Sequence, residues 1–589
     1  MNFNQRKDSP RPDFYREKWI SLNGEWTFKL DDEEEGLRRR YELQLPEGRS
    51  IRVPFCYQSE ESGIGEKEIH RVLWYERSIV LPKEWGKEHV WLHFGAVDHD
   101  AKVWVNGTYA GEHHGGFTPF CFEVTDFIDE ERKLRITVRC LDANTPDLVR
   151  GKQHWNQTTD RCWYTATGGI WQSVWLEAVP GIRISDISIQ SDIDTRAFSA
   201  EIALDREICG TLFREIRRQE NGDSAGKAVC RGTLEICGRR GIVMTKLPYP
   251  DPIDNVDLWS PEHPNLYDFI VRIEAGGQVQ DEAAAYFGLR KIAVEHGRIC
   301  LNHVPLFQRL VLDQGYWPRT LMTPPDHEAL IRDISLTKQM GFNGVRKHQK
   351  LEDPRFLYEA DRMGLLVWEE LPSAYEFTDR TTAEIAALIP EMIRRDGNHP
   401  CIITWLLFNE SWGIRHVQVD SRQQELGISM YHLVKSLDET RLISTNDGWE
   451  ALPSDFIGIH DYEQDPEIIR RKYEKKEALM HGYAAARAIL ADGTPYRDEP
   501  VLVTEMGGVA LEDHNSTTWG YHDKARNPEM LLEKMRGMME EYMQIPWKIQ
   551  GICYTQLTDV EQETNGLLYP DRTPKADLSQ IRKIMTQEY

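Results

Sequence analysis

Positive charge is scarce in this sequence. Its 589 residues include 71 Lys and Arg against 95 Asp and Glu, which gives a formal net charge of −24. No basic stripe is available to displace the counterions of phosphate groups, so nucleic acid is excluded as an expected partner.

Long apolar runs are also missing. No stretch approaches the roughly 18 to 20 consecutive apolar residues that a membrane-spanning helix needs, so no contact with a membrane is expected. Residues 1–8 lack the apolar core of a signal peptide. The expected location is therefore the cytoplasm.

Cysteine is sparse and follows no pattern. The ten cysteines include no Cys-x-x-Cys pair, and several fall inside apolar strand patterns. Buried, reduced thiols are predicted in preference to a disulfide framework or a zinc site. This prediction agrees with a cytoplasmic location.

The length of the chain requires several domains, because single hydrophobic cores stop growing at about 250 to 300 residues. Residues 1–180 contain segments of strand composition, such as residues 90–94 and 134–138, and a hairpin signal at Asn106-Gly107. We predict a β-sandwich in this part of the chain. A second, smaller β-sandwich is predicted over residues 181–288.

Over residues 289–589 the pattern changes to alternating strands and helices. Asp326 is a candidate N-cap for one of these helices, and Pro528 suits the first turn of another. Eight apolar segments with helical patterns between them predict a (β/α)₈ barrel. The candidate strands are residues 306–312, 344–347, 365–370, 402–409, 442–446, 456–460, 501–505 and 551–556.

Two of the barrel strands lead directly into a glutamate. Glu410 follows the apolar run at residues 401–409, and Glu505 ends the run at residues 501–504. Packing gives no reason for a carboxylate at the C-terminal tip of a buried parallel strand, where barrel enzymes place their chemistry. Two carboxylates facing one another across a barrel mouth form the acid and nucleophile pair of glycoside hydrolysis. The chain is therefore predicted to be a glycosidase.

The segments around the two glutamates resemble glycoside hydrolase family 2, the family of β-galactosidases, β-glucuronidases and β-mannosidases. Residues 405–412, Trp-Leu-Leu-Phe-Asn-Glu-Ser-Trp, are similar to its acid/base signature, and residues 504–508, Thr-Glu-Met-Gly-Gly, to its nucleophile segment. The resemblance implies a jelly-roll sugar-binding domain, an immunoglobulin-like sandwich and a barrel, in that order. It also implies retaining chemistry, with Glu410 as acid/base and Glu505 as nucleophile. Further similar segments are residues 22–28, 105–107, 168–171 and 341–348.

Other residues are candidates to bind the sugar. The resemblance implies that Asn409 donates a hydrogen bond to the sugar 2-hydroxyl, a contact that strengthens in the transition state. Arg346 lies within an apolar strand and needs an anionic partner, and the resemblance makes that partner Glu505. Polar side chains at or just beyond strand tips can meet sugar hydroxyls or the nucleophile, and these are His348, His460 and Tyr462.

Aromatic residues could form an apolar platform for the sugar ring. Tyr554 and Trp405 are candidates, although core packing explains Trp405 equally well. A long polar and aromatic loop at residues 142–167 contains Trp163, and long loops usually have a function. In the resemblance this loop reaches the barrel mouth and closes an exo-acting pocket, while ordinary packing between domains is an equal alternative.

The charge of the terminal sugar is less well determined. Family β-glucuronidases carry an Asn-x-Lys pair after strand 8, and the corresponding residues 563–565, Glu-Thr-Asn, lack the lysine. A β-galactoside is therefore favoured over a hexuronide (a galacturonide or glucuronide), with an arabinoside as a further alternative. Lys347 has no obvious internal partner, because strand alternation turns it away from Arg346. The cations that could bind a uronate, unless they are solvated surface charges, are Lys347, Lys350, Arg319 and Arg415.

No cofactor or metal is expected. The magnesium ligands that some β-galactosidases carry after strand 3 are not matched at residues 369–376, and glycoside hydrolysis needs no metal. The expected partner is an oligosaccharide or glycoside, and a homo-oligomer is left open. The rival hypothesis from another class is a catalytically silent carbohydrate-binding protein, which would have no use for two closely placed carboxylates.

The sequence also leads to an expectation about ionisation. Glu410 should lie in a partly desolvated site near another carboxylate, so we expect a pKa raised above its ordinary value of about 4.3. Arg346 should keep Glu505 ionised.

Overall fold

The computed structural model describes residues 3, 5–220, 226–247, 257–512 and 518–588. In the first domain, two sheets with the strand orders β4-β3-β5-β11-β8-β9 and β10-β6-β13-β2 enclose one hydrophobic core. Val103 and Ile136 from the larger sheet and Leu92 and Leu176 from the smaller one are buried in this core. The strands are β1 (Phe14–Tyr15), β2 (Trp19–Ser21), β3 (Gly24–Leu30), β4 (Arg49–Val53), β5 (Val72–Val80), β6 (His89–Phe94), β7 (Val97–Asp98), β8 (Asp100–Val105), β9 (Thr108–His113), β10 (Phe120–Glu123), β11 (Lys133–Leu141), β12 (Gly169–Ile170) and β13 (Val174–Val179).

The second domain is built around one long hairpin. Its strands are β14 (Ile184–Asp192), β15 (Ala197–Arg218), β16 (Ala228–Lys246), β17 (Tyr267–Ala275) and β18 (Gln278–Phe287). The first half of β15 pairs with β14 and the second half with β17, so one strand serves both layers of the sandwich. Although β1 falls within the predicted first domain, it pairs with β18, a long-range contact that no local pattern reveals.

The hairpin of the second domain corrects the prediction that all cysteines are reduced. Cys209 of β15 lies directly opposite Cys237 of β16, and the two form a disulfide. The remaining eight cysteines are free. Sequence spacing missed the pair because the register of two antiparallel strands, and not a motif, places the two side chains together.

The third domain confirms the predicted barrel. Eight parallel strands follow the order β26-β25-β24-β23-β22-β31-β30-β27, and nearly all of their residues are buried. Its strands and helices are β19 (Ile292–Glu295), β20 (Arg298–Leu301), β21 (Val304–Pro305), β22 (Gln308–Asp313), α1 (His327–Gln339), β23 (Gly344–Lys347), α2 (Pro354–Met363), β24 (Leu366–Glu370), α3 (Asp379–Asp396), β25 (Ile402–Asn409), α4 (Ser421–Leu437), β26 (Leu442–Asp447), β27 (Ile457–Asp461), α5 (Pro466–Lys472), α6 (Lys476–Met480), β28 (Tyr483–Ala484), β29 (Arg487–Ala488), β30 (Val501–Gly507), α7 (Pro528–Gln544), β31 (Gly551–Thr555) and α8 (Leu578–Thr586).

Local chemistry explains where the barrel helices begin. The side chain of Asp326 accepts a hydrogen bond from the Ala329 backbone N–H, which confirms the predicted N-cap of α1. Pro528 occupies the first turn of α7, where its missing N–H is not needed. Within the part of the chain that the structure describes, no helix is long and apolar enough to cross a membrane.

Candidate active site

Three strand ends bring the predicted catalytic pair together at the barrel mouth. Glu410 directly follows β25, Glu505 lies in β30 and His460 lies in β27. Carboxylate oxygens of the two glutamates and a ring nitrogen of His460 all lie within 4.8 Å of one another. Glu410 has a left-handed φ of 52°, which is unfavourable for a residue with a side chain and marks a sharp turn off the strand.

His460 bridges the carboxylates of this cluster. Its Nδ1 lies 2.7 Å from Glu410 Oε1, and its Nε2 lies 3.0 Å from Asp447 Oδ2 and 3.4 Å from Glu505 Oε1. Burial opposes the charge of the imidazole, but these three carboxylates outweigh it and raise the pKa of His460 to about 10. Although the Arg346 guanidinium lies only 3.2 Å from Nε2, His460 is therefore an imidazolium that donates from both nitrogens.

The contact with His460 contradicts the expectation that the pKa of Glu410 is raised. Burial does favour the protonated carboxyl, as the sequence argument assumed, but the hydrogen bond and the charge of His460 lower the pKa of Glu410 below its ordinary value. The charge of Lys152 adds a smaller effect of the same sign. In the unliganded protein the shared proton therefore lies on His460. The expectation was wrong because it counted the second carboxylate and omitted the cations.

Arg346 is fully buried and organises the interior of the barrel mouth. It forms ion pairs with Glu505 at 3.2 Å, Asp447 at 2.8 Å and Glu370 at 2.9 Å. Burial opposes its charge, yet these carboxylates raise its pKa well above the ordinary value. The expected pairing with Glu505 is present, and the other two partners were not foreseen.

The same guanidinium orients the amide of Asn409. Nη2 of Arg346 donates to Asn409 Oδ1 at 2.6 Å. The oxygen of this amide is thus used inside the protein, which leaves the amide N–H groups as the donors that Asn409 can offer a ligand. This orientation suits the hydroxyl contact that the sequence predicted.

Tyr462 lies beside the nucleophile candidate. Its hydroxyl donates to Glu505 Oε2 and lies 3.4 Å from Thr555 Oγ1. Burial and the Glu505 charge raise the pKa of Tyr462 well above its ordinary value, so the hydroxyl stays protonated. Tyr521 stacks on Tyr462 with ring centroids 3.4 Å apart and extends the aromatic wall of the site.

His348 is the neutral counterpart of His460. Its Nδ1 lies 2.9 Å from Glu370 Oε2 at the end of β24. Burial, together with the Lys152 and Arg346 charges, holds the pKa of His348 well below its ordinary value. The mouth thus carries one charged and one neutral imidazole.

A loop of the first domain that folds back on itself, residues 150–165 and called the hairpin below, lies across the barrel mouth, and its two arms meet in a parallel bridge between Gln153 and Tyr164. The backbone N–H groups of Arg150 and Gly151 both lie 3.0 Å from the Ser373 carbonyl of the barrel. A Cβ atom on Gly151 would lie 2.2 Å from the Gln349 carbonyl oxygen, and its φ is 62°. Only glycine permits this close approach, so the hairpin is held rigidly on the barrel.

Aromatic rings join the hairpin to the loop that carries Glu410. The Trp163 ring centroid lies 5.0 Å from that of Trp412, 5.0 Å from Trp155 and 5.7 Å from Tyr375. Trp412 is only two residues beyond Glu410. The expectation that this loop reaches the barrel mouth agrees with the geometry, and Trp163 forms part of the wall there.

The hairpin also adds polar groups that the sequence did not identify as site residues. The Tyr164 hydroxyl donates to Glu563 Oε2 at 2.6 Å, and Asn565 Nδ2 donates to the other oxygen at 3.0 Å. Burial raises the pKa of Glu563. The ammonium of Lys152 lies 5.4 Å from the centroid of the Trp163 ring and 5.7 Å from that of Tyr164.

Three predicted site residues lie outside this cluster. The Trp405 indole donates to Asp438, at the end of α4, at 2.8 Å, so it packs toward the helices. Thr555 lies beside Tyr462, and strand alternation therefore turns the preceding residue, Tyr554, to the opposite face. Both proposed platforms are core residues instead.

Lys347 is the third predicted site residue outside the cluster, and it has partners inside the protein. Its ammonium pairs with Asp313 at 2.8 Å and with Glu352 at 2.6 Å. As strand alternation predicts, Lys347 points away from Arg346, and its carboxylate partners come from segments outside its own strand. Lys347 is therefore not available to a substrate.

Two of the remaining candidate cations are also engaged elsewhere. Lys350 pairs with Glu352 at 2.9 Å, and Arg319 pairs with Glu61 at 2.7 Å. Arg415 is half-buried and lies over the rings of Tyr375 at 4.5 Å and Trp412 at 5.0 Å.

The cluster of Glu410, His460 and Glu505 is compact enough to surround a metal ion. Both ring nitrogens of His460 contact carboxylates of the protein, at 2.7 Å and 3.0 Å. The arrangement is suited to proton transfer between the three groups.

Several functional candidates escaped the sequence analysis. Asp447 and Glu370 end β26 and β24, so the rule that identified Glu410 could have found them. Tyr521 and Lys152 gave no such signal, because one lies in a loop beyond β30 and the other comes from a different domain. Only the fold brings them to the barrel mouth.

Models of one protein family match nearly the whole chain. Residues 19–180 match "Glycosyl hydrolases family 2, sugar binding domain", residues 182–290 match "Glycosyl hydrolases family 2" and residues 293–588 match "Glycosyl hydrolases family 2, TIM barrel domain".

Curated relatives carry two different activities in their names. A β-galactosidase of Thermoanaerobacter pseudethanolicus is 28% identical over 67% of this chain and 52% of its own length. A β-glucuronidase of Streptococcus agalactiae is 26% identical over 84% of this chain and 83% of its own length. The chain thus spans about half the length of the β-galactosidases it matches.

Solved structures support the same architecture. The β-glucuronidase of Ruminococcus gnavus superposes with a TM-score of 0.78 at 19% identity, over 97% of this chain and 98% of its own. A β-glucuronidase from an uncultured Clostridium has a TM-score of 0.77 at 21% identity, over 97% of this chain and 99% of its own. At these identities the likeness establishes the fold.

Proposed function

Because the chain belongs to glycosyl hydrolase family 2, we propose that it is a retaining exo-β-glycosidase that removes one terminal sugar by double displacement. The observation that carries the proposal is the pair Glu410 and Glu505, with carboxylate oxygens within 4.8 Å of each other across the barrel mouth. Retaining glycosidases need the two carboxyl groups about 5 to 5.5 Å apart, whereas inverting enzymes need about 6.5 to 9.5 Å.

In the first step Glu505 attacks the anomeric carbon while the leaving oxygen takes, through Glu410, the proton that Glu410 shares with His460. Arg346 and the Tyr462 hydroxyl both contact the Glu505 carboxylate and orient it for attack. A covalent glycosyl-enzyme forms, and the aglycone leaves as an alcohol. Asn409 donates to the sugar 2-hydroxyl, where a hydrogen bond strengthens as positive charge develops on the ring.

In the second step Glu410 acts as a base. It takes a proton from a water molecule, whose oxygen attacks the anomeric carbon and displaces Glu505. Two inversions at the same carbon give net retention. The hairpin at residues 150–165 covers the mouth, which favours removal of a terminal sugar over cleavage within a polymer.

Two terminal sugars are the main candidates. A β-galactoside was favoured from the sequence, and the ion pairs of Lys347, Lys350 and Arg319 remove three of the four cations proposed for a uronate. A β-hexuronide is the other candidate because of one observation, the buried Lys152, whose ammonium lies over the Trp163 and Tyr164 rings at the barrel mouth. An arabinoside is a more remote alternative.

A panel of nitrophenyl glycosides tests the proposed function. We expect release of nitrophenol from at least one of the β-galactoside, β-galacturonide, β-glucuronide and α-L-arabinoside, with no cofactor added. Proton NMR of the fresh product should show the anomeric configuration of the substrate. No release from any sugar would favour the silent carbohydrate-binding protein, and an inverted product would contradict the double displacement.

The contact between His460 and Glu410 predicts the pH at which kcat/KM declines on the alkaline side of its pH profile. Glu410 can protonate the leaving group while the pair holds its shared proton, and that proton is lost as pH rises through the pKa of His460, about 10. In His460→Gln the cation that lowers the pKa of Glu410 is removed while burial remains. The alkaline limb of kcat/KM should then move to lower pH, because the acid is now Glu410 alone and no longer the pair that shares the proton.

The measurement is kcat/KM against pH for an alkyl glycoside, whose departure depends on the acid. His432→Gln is a matched control, because His432 is exposed on α4. The profile of this control should coincide with that of the parent. An alkaline limb that stayed in place in His460→Gln would mean that His460 does not share the catalytic proton.

A further inference from the structure

Lys152 is the buried cation that the first domain contributes to the catalytic site. Its backbone carbonyl accepts from the Tyr164 N–H at 3.0 Å, which pairs the two arms of the hairpin at residues 150–165. Only 7% of the residue is exposed. Since the hairpin is bonded to the barrel backbone at Ser373, the position of Lys152 over the barrel is fixed by the docking of two domains.

The surroundings of the ammonium point to a ligand. It lies over the Trp163 and Tyr164 rings, and these rings contact Trp412 and Glu563 of the barrel. Two rings of this kind hold a cation in place and present it at a fixed point. That point lies where the hairpin meets the loop that carries Glu410.

Lys152 differs from the other buried lysines near the barrel mouth. Lys347 and Lys350 each have a carboxylate oxygen within 3.0 Å. Among the residues that the structure describes, Lys152 has no carboxylate oxygen within 4.0 Å, and its ammonium lies over two aromatic rings. A carboxylate on a ligand could therefore pair directly with this ammonium without displacing a carboxylate of the protein.

The charges that face Lys152 act at longer range. Burial lowers its pKa, but Cys162, Glu563, Glu505 and Glu410 together raise it, so the ammonium is retained. Both oxygens of Glu563 accept hydrogen bonds from Tyr164 and Asn565, so this carboxylate is held away from a direct pair with Lys152. The two catalytic carboxylates flank the position of the anomeric carbon in the proposed function.

We propose that Lys152 is the residue that determines the charge specificity of the sugar site, by donating to the carboxylate of a terminal hexuronic acid. The inference rests on the proposed function and adds the substrate class. A sugar held between the catalytic pair and the covering hairpin has its ring substituents against Lys152, and a carboxylate on that ring would supply the missing close anion. A single ammonium serves either oxygen of a carboxylate as a point charge.

The first test compares kcat/KM for nitrophenyl β-galacturonide, β-glucuronide and β-galactoside. In Lys152→Met we expect the value for the preferred uronide to fall by roughly 10- to 100-fold more than the value for the galactoside, because a charge-assisted hydrogen bond is lost. Lys152→Arg should recover part of the difference. Arg161→Met is the matched control, since Arg161 is an exposed cation of the same hairpin, and it should retain the parental ratio.

Equal losses on the uronides and the galactoside in Lys152→Met would overturn the proposal and leave Lys152 a structural role. A parent that hydrolyses only the galactoside would overturn it as well. A parent inactive on every glycoside would contradict the proposed function instead.

Calorimetric titration with free galacturonate, glucuronate, galactose and galactose 6-sulfate tests the site without turnover. We expect a uronate to bind at least tenfold more tightly than galactose, and this preference should be absent in Lys152→Met. Tighter binding of the sulfate ester than of both uronates would assign the cation to another anion and overturn the proposal. Melting temperatures of the variants confirm that each protein is folded.

Discussion

Replacing Glu505 with alanine should abolish nearly all turnover. We expect kcat to fall by roughly 10,000-fold, about 5.5 kcal/mol in activation free energy, because the covalent step has no nucleophile. The fold should survive, since Arg346 keeps its ion pairs with Asp447 and Glu370. Added azide should restore part of the rate by occupying the vacated space, while Glu410 still protonates the leaving group.

The configuration of the azide product makes this test specific. One displacement by azide inverts the anomeric carbon, so a β-glycoside should give an α-glycosyl azide, which proton NMR identifies. Glu512→Ala provides a control, because Glu512 is an exposed glutamate a few residues beyond β30. Normal activity in Glu505→Ala would refute the assignment of the nucleophile.

Replacing Glu410 with alanine should produce a loss that depends on the leaving group. For alkyl glycosides we expect kcat/KM to fall by about 100- to 10,000-fold, the range that general acid catalysis contributes. For dinitrophenyl glycosides the loss in kcat/KM should be small, because that aglycone departs without a proton. The measurement is a series of kcat/KM values against the pKa of the leaving alcohol, which should be much steeper in the variant.

The configuration of the azide product also distinguishes the roles of Glu410 and Glu505. In Glu410→Ala it should attack the accumulated glycosyl-enzyme and give a β-glycosyl azide, with retained configuration, in contrast to Glu505→Ala. Glu425→Ala, an exposed glutamate on α4, should match the parent throughout. A uniform loss across all leaving groups would show that Glu410 is not the acid.

Much of the fold could be predicted from the way apolar runs alternate with helical patterns along the chain. Runs such as residues 402–409 and 501–505 are buried on all sides, and their composition identifies them as barrel strands without knowledge of their neighbours. Since parallel strands in a barrel end at one face, the polar residues at their tips had to meet. This reasoning correctly predicted that Glu410, Glu505, Arg346 and Asn409 would lie together.

Inferences that depended on what a side chain touches were less secure. Trp405 and Tyr554 were candidate platforms because an aromatic ring can pack against the C–H face of a sugar, but both are fully buried in the hydrophobic core of the barrel. Lys347 was correctly turned away from Arg346, yet its partners Asp313 and Glu352 come from other segments. The period and composition of a strand predict the face on which a side chain lies. They do not predict which residues of other segments it contacts on that face.

By itself, the sequence determined the order of three domains, the eight barrel strands and the two glutamates at strand tips, because these features are encoded within short windows of the chain. The tertiary structure decided which charges share a proton and which remain without a close partner. His460 meets Glu410 across 50 positions of the chain, and Lys152 enters the site from another domain. Such contacts form when whole elements dock against one another. The electrostatic effects of the contacting residues act through space, so local sequence spacing does not reveal them.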